Sequence, residues 1–516
     1  MATETELKLL FPPAAARSIL AWQGWSPIKR GRARRTTLHT TYFDTPDRTL
    51  QRARIALRLR RDGSRWIQTL KTGGSSTGAL HSRNEFEWVV AGATLDLDPI
   101  RALDLKSALR KCDWSAIRPV FSTRFGRIAF NVEPSPDTLI EAAIDTGTIR
   151  AGRRSQRICE IELELKSGEE GALFSLAERM VDAFSLRLGY SSKAERGFAL
   201  ALGEAATPVK AGTIPLDKRE SIAVAAHRLI GDCLNHLQAN ETGFLKSTDP
   251  EYLHQLRVAL RRLRTAMSIF RGLFPETDFA AWKAELRWLN TCLAPARDAD
   301  VWDSETLPEV VGSLGERPGM PALLRWSRRM REDARADARR AVASARYVRL
   351  ILLLARALSN LSKAPQVAGD DSLVKFVARA MDHRERRLRA SDLLSAEAAQ
   401  LHEARLDVKK LRYIGEMFVT LGRPKRARRY LDGLARLQNV LGSMNDVSAG
   451  VGTLRREGSG TVDSGLMLLI EGWLIGRASA HRDSLVEVWR NWASCDGFFR
   501  TASAKADDDD KVERPI

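Results

Sequence analysis

Two short runs within the first 170 residues alternate charged with mostly aliphatic side chains. The first is Glu4-x-Glu6-x-Lys8, and the second is Glu160-x-Glu162-x-Glu164-x-Lys166. Because successive side chains of a β-strand point to opposite faces, each run would place all its charges on one face. Exposure of the charged face to solvent is the simplest interpretation of either run alone.

The segments between these two runs have the same alternation but carry basic as well as acidic residues. Arg58 and Arg60 share one face of a predicted strand, Lys71 lies on the next strand, and Arg83, Glu85 and Glu87 follow at alternate positions. Several antiparallel strands that share one charged face predict a closed sheet with a charged interior. Carboxylates suit a hard metal ion, and Arg and Lys suit phosphate, so the interior is suited to a metal-bound polyphosphate.

The ordered set of these motifs resembles the CYTH domain, the fold of the triphosphate tunnel metalloenzymes. The matching positions, in chain order, are Glu4-x-Glu6-x-Lys8, Tyr42–Pro46, Arg58 with Arg60, Lys71, Arg83-x-Glu85-x-Glu87, Arg124, Asp145-x-Gly147, Glu160-x-Glu162 and Ser192–Gly197. The resemblance implies a closed antiparallel β-barrel, a tunnel, as the first domain of an α+β protein. It also implies a divalent cofactor, Mg²⁺ or Mn²⁺.

The same resemblance assigns roles to individual side chains. Metal ligands would be Glu4, Glu6, Asp145, Glu160 and Glu162. Phosphate-binding residues would be Lys8, Arg58, Arg60, Lys71, Arg83, Arg124 and Lys193. The residues taken as catalytic are Glu4, Glu6 and Lys8.

The second half of the chain contains an internal duplication. From Asp217 onwards the sequence consists of amphipathic helical patterns, and His254-x-x-Arg257-x-x-x-Arg261-Arg262-x-Arg264 recurs as His402-x-x-Arg405-x-x-x-Lys409-Lys410-x-Arg412. The offset is 402 − 254 = 148 residues, and Phe270 and Phe418 keep it. A register that stays unbroken from His254 to Phe270 predicts a duplicated helical module.

Each copy of the repeated helix is predicted to have a basic face beside an apolar one. At roughly 100° per residue, positions 254, 257, 261 and 264 fall within about 80° of one another. This half resembles the CHAD domain, a helical module associated with inorganic polyphosphate. The resemblance implies polyphosphate binding by His254, Arg257, Arg261, Arg262, Arg264, His402, Arg405, Lys409, Lys410 and Arg412.

The predicted organisation is a CYTH domain over residues 1–202, a linker over 203–216, a helical-bundle domain over 217–500 and an acidic tail over 501–516. The net charge of +18 among 516 residues favours an acidic partner, and the five scattered cysteines are expected to be free thiols. No signal peptide or membrane-spanning run is apparent, so we expect a cytoplasmic protein without a membrane partner, associated with polyphosphate granules.

The function expected from both resemblances is metal-dependent hydrolysis of inorganic triphosphate in the tunnel, with polyphosphate bound by the helical domain. A CYTH enzyme that acts on thiamine triphosphate or ATP is one alternative, and a non-enzymatic polyphosphate-binding protein is another. Nucleic-acid binding is less favoured, because sequence-tolerant single-strand binders interleave aromatic residues with basic ones. The two basic helices have only Tyr252 and Tyr413 nearby.

Overall fold

The structure is a computed structural model in which residues 2–77, 80–103, 112–203, 206–363, 372–391, 393, 398–457 and 462–498 are described. The chain divides into two compact units. One unit, here called the tunnel unit, comprises Met1–Pro208 together with Val342–Asn360. The other, the helical unit, comprises Val209–Ala341 together with Leu361–Ile516. The predicted acidic tail lies outside the described residues.

The tunnel unit is built on an antiparallel sheet that closes on itself. Its strands are β1 (Ala2–Leu10), β2 (Lys29–Asp44), β3 (Ala56–Asp62), β4 (Arg65–Lys71), β5 (Ser75–Thr77), β6 (Leu80–Val90), β7 (Arg118–Ser135), β8 (Thr138–Ala151), β9 (Arg154–Ser167) and β10 (Arg187–Leu188). Eight strands close the barrel in the order β1-β9-β8-β7-β2-β3-β4-β6, because β1 pairs with both β9 and β6. The predicted closed antiparallel barrel is therefore confirmed.

Alternation along the strands separates the charged interior of the barrel from an apolar exterior. On β1, Leu7 and Leu9 are completely buried on the outer face, and on β9 Ile161 and Leu163 are buried in the same way. Helix α4 (Gly171–Ala183) packs against this outer surface through its own buried residues, among them Phe174. The inner face is left to the charged residues, which is why strands so rich in Glu, Lys and Arg still form a packed sheet.

The remaining helices of the tunnel unit are short, except for α5 and α11. They are α1 (Ala16–Leu20), α2 (Thr49–Arg52), α3 (Asp98–Arg101), α5 (Lys193–Leu202) and, from the second segment of the unit, α11 (Ala345–Lys363). Ser192 and Glu195 form a capping box that starts α5 at Lys193. Helix α1 is preceded by a 3₁₀ turn over Pro13–Ala15.

Helix α11 comes from the region predicted as the helical domain, yet it packs in the tunnel unit. Arg349 donates to Asp182 at 2.7 Å, and Arg356 lies 3.7 Å from Glu178, both of them carboxylates of α4. The tunnel unit is therefore made from two separate stretches of the chain, 1–208 and 342–360.

The helical unit shows the duplication element by element. Its helices are α6 (Ile222–Lys246), α7 (Pro250–Ile269), α8 (Glu276–Val301), α9 (Leu307–Leu314), α10 (Met320–Val342), α12 (Leu373–Ala390), α13 (Ala398–Met417), α14 (Pro424–Glu457) and α15 (Ser464–Ala493). Both ends of α7 and α13 differ by the predicted offset, since 398 − 250 and 417 − 269 are each 148. Phe270 and Phe418 follow these two helices and meet edge to face at 6.1 Å.

No helix in the described ranges is long and apolar enough to cross a membrane. None of the five cysteines, all of which lie in the described ranges, forms a disulfide bond.

Candidate active site and anion-binding cleft

Three carboxylates from neighbouring strands meet inside the barrel and form what we call the carboxylate cluster. Asp145 on β8 is paired in register with Glu160 on β9, and Glu162 lies two residues further along β9. Asp145 and Glu160 are completely buried. One oxygen from each of the three lies within 4.8 Å of the others. Two adjacent strands therefore place three acidic groups on one patch of the inner wall.

Four basic side chains neutralise the carboxylate cluster. The ammonium of Lys193, at the start of α5, lies 2.7 Å from Asp145, 2.5 Å from Glu160 and 3.0 Å from Glu162. Arg127 donates to Asp145 at 2.8 and 2.7 Å and also to Glu162. Arg196 lies 2.5 Å from Glu160, and Lys8 lies 3.4 Å from Glu162.

The proton affinities of the cluster follow from these contacts. Burial alone would raise the pKa of Glu162, but Lys193, Arg127 and Lys8 outweigh it and hold that pKa well below its usual range. Burial would lower the pKa of Lys8, whereas Glu6 and Glu162 raise it to about 12. The pKa of Lys193 is raised in the same way, because the three carboxylates outweigh its desolvation. Glu162, Lys8 and Lys193 are therefore charged at neutral pH.

A second chain of ion pairs runs across β1, β6, β4 and β3. The Lys71 ammonium lies 2.5 Å from Glu4 and 3.0 Å from Glu85, and Glu85 in turn accepts from Arg58 at 3.1 Å. Glu4 and Glu85 are each paired with a cation here. The inner wall thus carries two separate groups of alternating charge.

Two of the five predicted metal ligands lie outside the carboxylate cluster. Glu4 is paired with Lys71, and Glu6 is 3.4 Å from Lys8. The reason is the register of β1, which puts Lys8 opposite Glu162 and moves Glu6 and Glu4 further along the barrel. The structure brings three of the five predicted metal ligands together in the carboxylate cluster and places Glu4 and Glu6 beside it, so their role as ligands stays a prediction.

Arg60 and Arg83 complete the basic side chains predicted to face the tunnel. Arg60 makes no ion pair with any residue in the part of the chain that the structure describes, and burial together with Arg58 lowers its pKa to about 10. Arg83 lies 3.6 Å from Glu195 on α5. Arg60 is thus a half-buried cation inside the barrel whose charge is not offset by an ion pair within the described ranges.

Arg124 is not part of this site, which corrects the expectation from the sequence. Its side chain is exposed, and strand alternation puts it on the opposite face of β7 from Arg127. Arg127 is the inward-facing arginine of this strand, and sequence reasoning missed it. In the structure Arg127 has the same parity along β7 as the buried Phe121 and Phe125, whereas Arg124 has the opposite parity. Arg196, part of the motif but given no role, was missed as well.

The helical unit contains a cleft of about 1360 Å³ in whose lining basic residues outnumber acidic ones. Its basic lining residues are His254, Arg257, Arg261, Arg264, Arg271, Lys283, Arg297, Arg384, Arg405, Lys409 and Lys410. Both copies of the repeated helix, α7 and α13, contribute to this surface. The structure thus brings seven of the ten predicted polyphosphate-binding residues to one cleft.

Three of the ten predicted residues do not line the cleft. Arg262 is 4 % exposed and lies 3.3 Å from Asp232 on α6. His402 is exposed outside the cleft lining. Arg412 donates to Gln438 at 2.9 Å and pairs with Glu416 at 3.1 Å. The helical period places Arg262 and Arg412 on the flanks of their helices, where intramolecular partners hold them.

The cleft holds cationic nitrogens that lack partners. Arg257 Nη1 and Arg261 Nε are buried and have no hydrogen-bond partner among the described residues. Burial lowers the pKa of Arg257 to about 10 although Asp298 acts against it, because Arg261 and Arg297 add to the effect. Burial and Arg297 also lower the pKa of His254. Unpaired, partly desolvated positive charge indicates a site that takes an anion.

Comparison with known proteins agrees with this division. The CYTH domain family matches residues 2–198, and the CHAD domain family matches residues 228–455. The inorganic triphosphatase of Haemophilus influenzae is 36% identical over 164 residues, which is 32% of this chain and 46% of that protein. The chain therefore spans about half the length of this relative.

Two further similarities cover larger shares of the chain. An uncharacterized protein of Mycobacterium tuberculosis is 26% identical over 409 residues, 73% of this chain and 75% of that protein. The crystal structure of the CHAD domain from Ricinus communis is 29% identical, with a TM-score of 0.49, and covers 55% of this chain and 97% of that chain. By the two family matches, the chain contains a CYTH domain followed by a CHAD domain.

Proposed function

We propose that the tunnel hydrolyses inorganic triphosphate to pyrophosphate and phosphate with the help of a divalent cation, Mg²⁺ or Mn²⁺. The observation that carries the proposal is the buried carboxylate cluster, which lies among arginine and lysine side chains inside a closed barrel. Similarity of the first half to an inorganic triphosphatase supports it.

The carboxylate cluster fits a hard divalent cation by the chemistry of its donors. Asp145, Glu160 and Glu162 supply oxygen atoms within 4.8 Å of one another, which is the ligand type that Mg²⁺ and Mn²⁺ prefer. The ammonium of Lys193 already contacts all three, so the position stabilises positive charge. When bound, the ion would neutralise phosphate charge and polarise a phosphorus–oxygen bond.

Triphosphate and the carboxylate cluster would compete for the same basic residues. Lys8, Arg127, Lys193 and Arg196 make four positive charges against three carboxylates, and each can turn from a carboxylate to a phosphate oxygen. Every cation that moves leaves carboxylate oxygens free for a metal ion. Binding of the anion and of the cation would therefore favour each other.

The opposite wall of the barrel holds the remaining phosphates. Strand β3 stands four strands from β9 in the eight-stranded order, so Arg58 and Arg60 face the carboxylate cluster across the tunnel. Arg60 has no carboxylate to give up among the described residues, and its guanidinium is suited to a bidentate grip on phosphate. Hydrolysis transfers the terminal phosphoryl group to water, and the basic residues stabilise the charge that develops on the departing pyrophosphate.

Phosphate release from inorganic triphosphate, thiamine triphosphate and ATP, with and without Mg²⁺, tests the proposal. We expect metal-dependent release that is fastest for inorganic triphosphate and falls at least about 100-fold in Glu160→Gln, because an electrostatic group of a buried site is lost. Glu133→Gln is the matched control, since this carboxylate is exposed and pairs with Arg30. Equal kcat/KM for ATP and triphosphate would contradict the selectivity for inorganic triphosphate.

For the helical unit we propose binding of inorganic polyphosphate in the basic cleft. The unpartnered nitrogens of Arg257 and Arg261 support this, and no comparable carboxylate cluster of the described residues accompanies them. The variant Arg261→Glu/Lys409→Glu should lose most polyphosphate binding, while Arg428→Glu/Arg429→Glu, exposed on α14 outside the cleft lining, should retain it.

Competition against RNA distinguishes the ligands of the cleft. Unlabelled polyphosphate should displace labelled polyphosphate at a lower phosphate concentration than RNA does. Proteins that bind single-stranded RNA stack its bases on several aromatic side chains. Among the described lining residues of the cleft, the repeated helices contribute a single aromatic residue, Tyr413. If the wild type releases phosphate from no substrate, the second candidate function, a non-enzymatic polyphosphate-binding protein, is favoured by the same unpartnered arginines.

A further inference from the structure

A buried glycine joins the strands of the barrel to the helix that carries Lys193. Gly189 lies between β10 and α5, and its N–H donates to the carbonyl of Lys8 at 2.9 Å. A Cβ at this position would lie 2.7 Å from Cγ of Lys8, so the glycine backbone packs directly on the lysine stem. The turn over residues 189–192 is therefore in contact with a side chain that touches the carboxylate cluster.

The carbonyl of Gly189 is held from the other side by His81. This histidine of β6 is 2 % exposed, is paired in register with Glu6, and has Nε2 3.1 Å from the carbonyl oxygen of Gly189. A carbonyl only accepts, so Nε2 carries the hydrogen and the ring donates. Nδ1 is then an acceptor, and it is buried without a partner among the described residues.

This geometry assigns the imidazole a structural task and not one in proton transfer. Burial and the nearby Lys8 lower the pKa of His81 to about 4, so the ring is neutral at physiological pH. Its donor is engaged by Gly189 and its remaining nitrogen is enclosed by protein. A general base needs a nitrogen that a substrate or a water molecule can reach.

Helix α5 begins four residues after Gly189. Lys193 and Arg196, in its first turns, bond to the carboxylate cluster, and the capping box of Ser192 and Glu195 fixes how the chain enters the helix. A shift of the 189–192 turn would therefore move Lys193 and Arg196 together. It would also free the stem of Lys8, which the glycine confines.

We infer that His81 is a positioning residue of the tunnel: through its hydrogen bond to Gly189 it clamps the 189–192 turn against Lys8 and so fixes Lys8 and Lys193 over the carboxylate cluster. The inference deepens the proposed function, and it rests on that function only where triphosphate is the probe. The clamp itself is a property of the protein without ligand.

Three full-length variants separate the hydrogen bond from the volume of the ring. His81→Phe keeps an aromatic ring but has no donor, and His81→Gln offers an amide N–H close to the position of Nε2. His39→Gln is the control, because His39 is exposed on β2. Hydrogen exchange measured by mass spectrometry on the ligand-free protein should show faster exchange over residues 187–202 in His81→Phe alone.

The second readout is the titration of inorganic triphosphate in the presence of Mg²⁺. We expect His81→Phe to raise the Kd and the KM about tenfold, with kcat changed less, and His81→Gln to restore most of the loss. Unchanged exchange over 187–202 in His81→Phe, or equal loss in His81→Phe and His81→Gln, would overturn the clamp. A wild type that neither binds nor cleaves triphosphate would refute the proposed function, while the exchange result still decides the clamp.

Discussion

Replacing Arg257 in the basic cleft should stabilise the protein while weakening its binding of polyphosphate. Burial, with Arg261 and Arg297 nearby, lowers the pKa of Arg257 from its ordinary 12.5 to about 10. The guanidinium is charged in the folded and unfolded states at pH 7, so the lowered pKa means that its charge opposes folding there. Each tenfold change in the proton-binding constant corresponds to about 1.36 kcal/mol, so the charge of Arg257 lowers the free energy of unfolding at pH 7 by about 3 kcal/mol.

Arg257→Gln removes this charge and keeps part of the side chain's volume. Because Asp298 attracts the native guanidinium and some packing is lost, we expect a net gain of about 1–3 kcal/mol, which raises Tm by several degrees for a unit of this size. Polyphosphate affinity should fall about tenfold, since a charge-assisted contact with phosphate is lost. Stability and binding are therefore expected to change in opposite directions.

Thermal unfolding followed by circular dichroism, and polyphosphate titration at two salt concentrations, measure the two effects. Arg428→Gln is the matched control, because it removes the same charge from an exposed position on α14 and should change neither quantity appreciably. A lower Tm for Arg257→Gln than for this control would refute the argument that the buried charge opposes folding. A higher Tm with unchanged polyphosphate affinity would show that Arg257 does not contact the ligand.

Two further predictions concern the stability of each unit. The pKa of His81 is about 4 in the folded protein and about 6.5 in the unfolded chain, so the unfolded chain takes up a proton at the higher pH. The free energy of unfolding should therefore fall by up to about 3 kcal/mol as the pH decreases from 6.5 to 4. His81→Gln should flatten that part of the stability profile, and an unchanged profile would contradict the assignment. In α6, Gly243→Ala would place a Cβ 1.9 Å from the ring of Tyr252 and should cost about 1–3 kcal/mol. Gly312→Ala in α9 meets open space and should stabilise slightly, and equal effects of the two in chemical denaturation would argue against close packing at Gly243.

The barrel could be predicted from sequence because its signal is local. Alternation in runs such as Glu160–Lys166 fixes which side chains share a face, and several such runs with charged inner faces have few solutions other than a closed sheet. The offset of 148 residues likewise predicted equivalent helices at that separation, and α7 and α13 begin and end 148 residues apart.

What could not be predicted depends on register between strands. Alternation alone does not say that Lys8 stands opposite Glu162, and this pairing separates Glu4 and Glu6 from the carboxylate cluster. The choice between Arg124 and Arg127 required the inward parity of β7, which two arginines three positions apart leave open. In the helices, Arg262 shares the basic pattern but finds Asp232 on α6, a contact that no local pattern encodes.

The two-segment composition of the tunnel unit has a consequence for the order in which it is made. Residues 1–208 leave the ribosome long before helix α11, which belongs to the same unit and supplies partners for Asp182 and Glu178. At roughly 5–20 residues per second, synthesis of the intervening stretch takes on the order of ten seconds. During that time the barrel is chemically complete, yet the surface of α4 that α11 covers is still bare. A nascent chain whose synthesis stalls in this interval would therefore expose α4 to chaperones and proteases. Once synthesis resumes and α11 is made, the same polypeptide covers that surface.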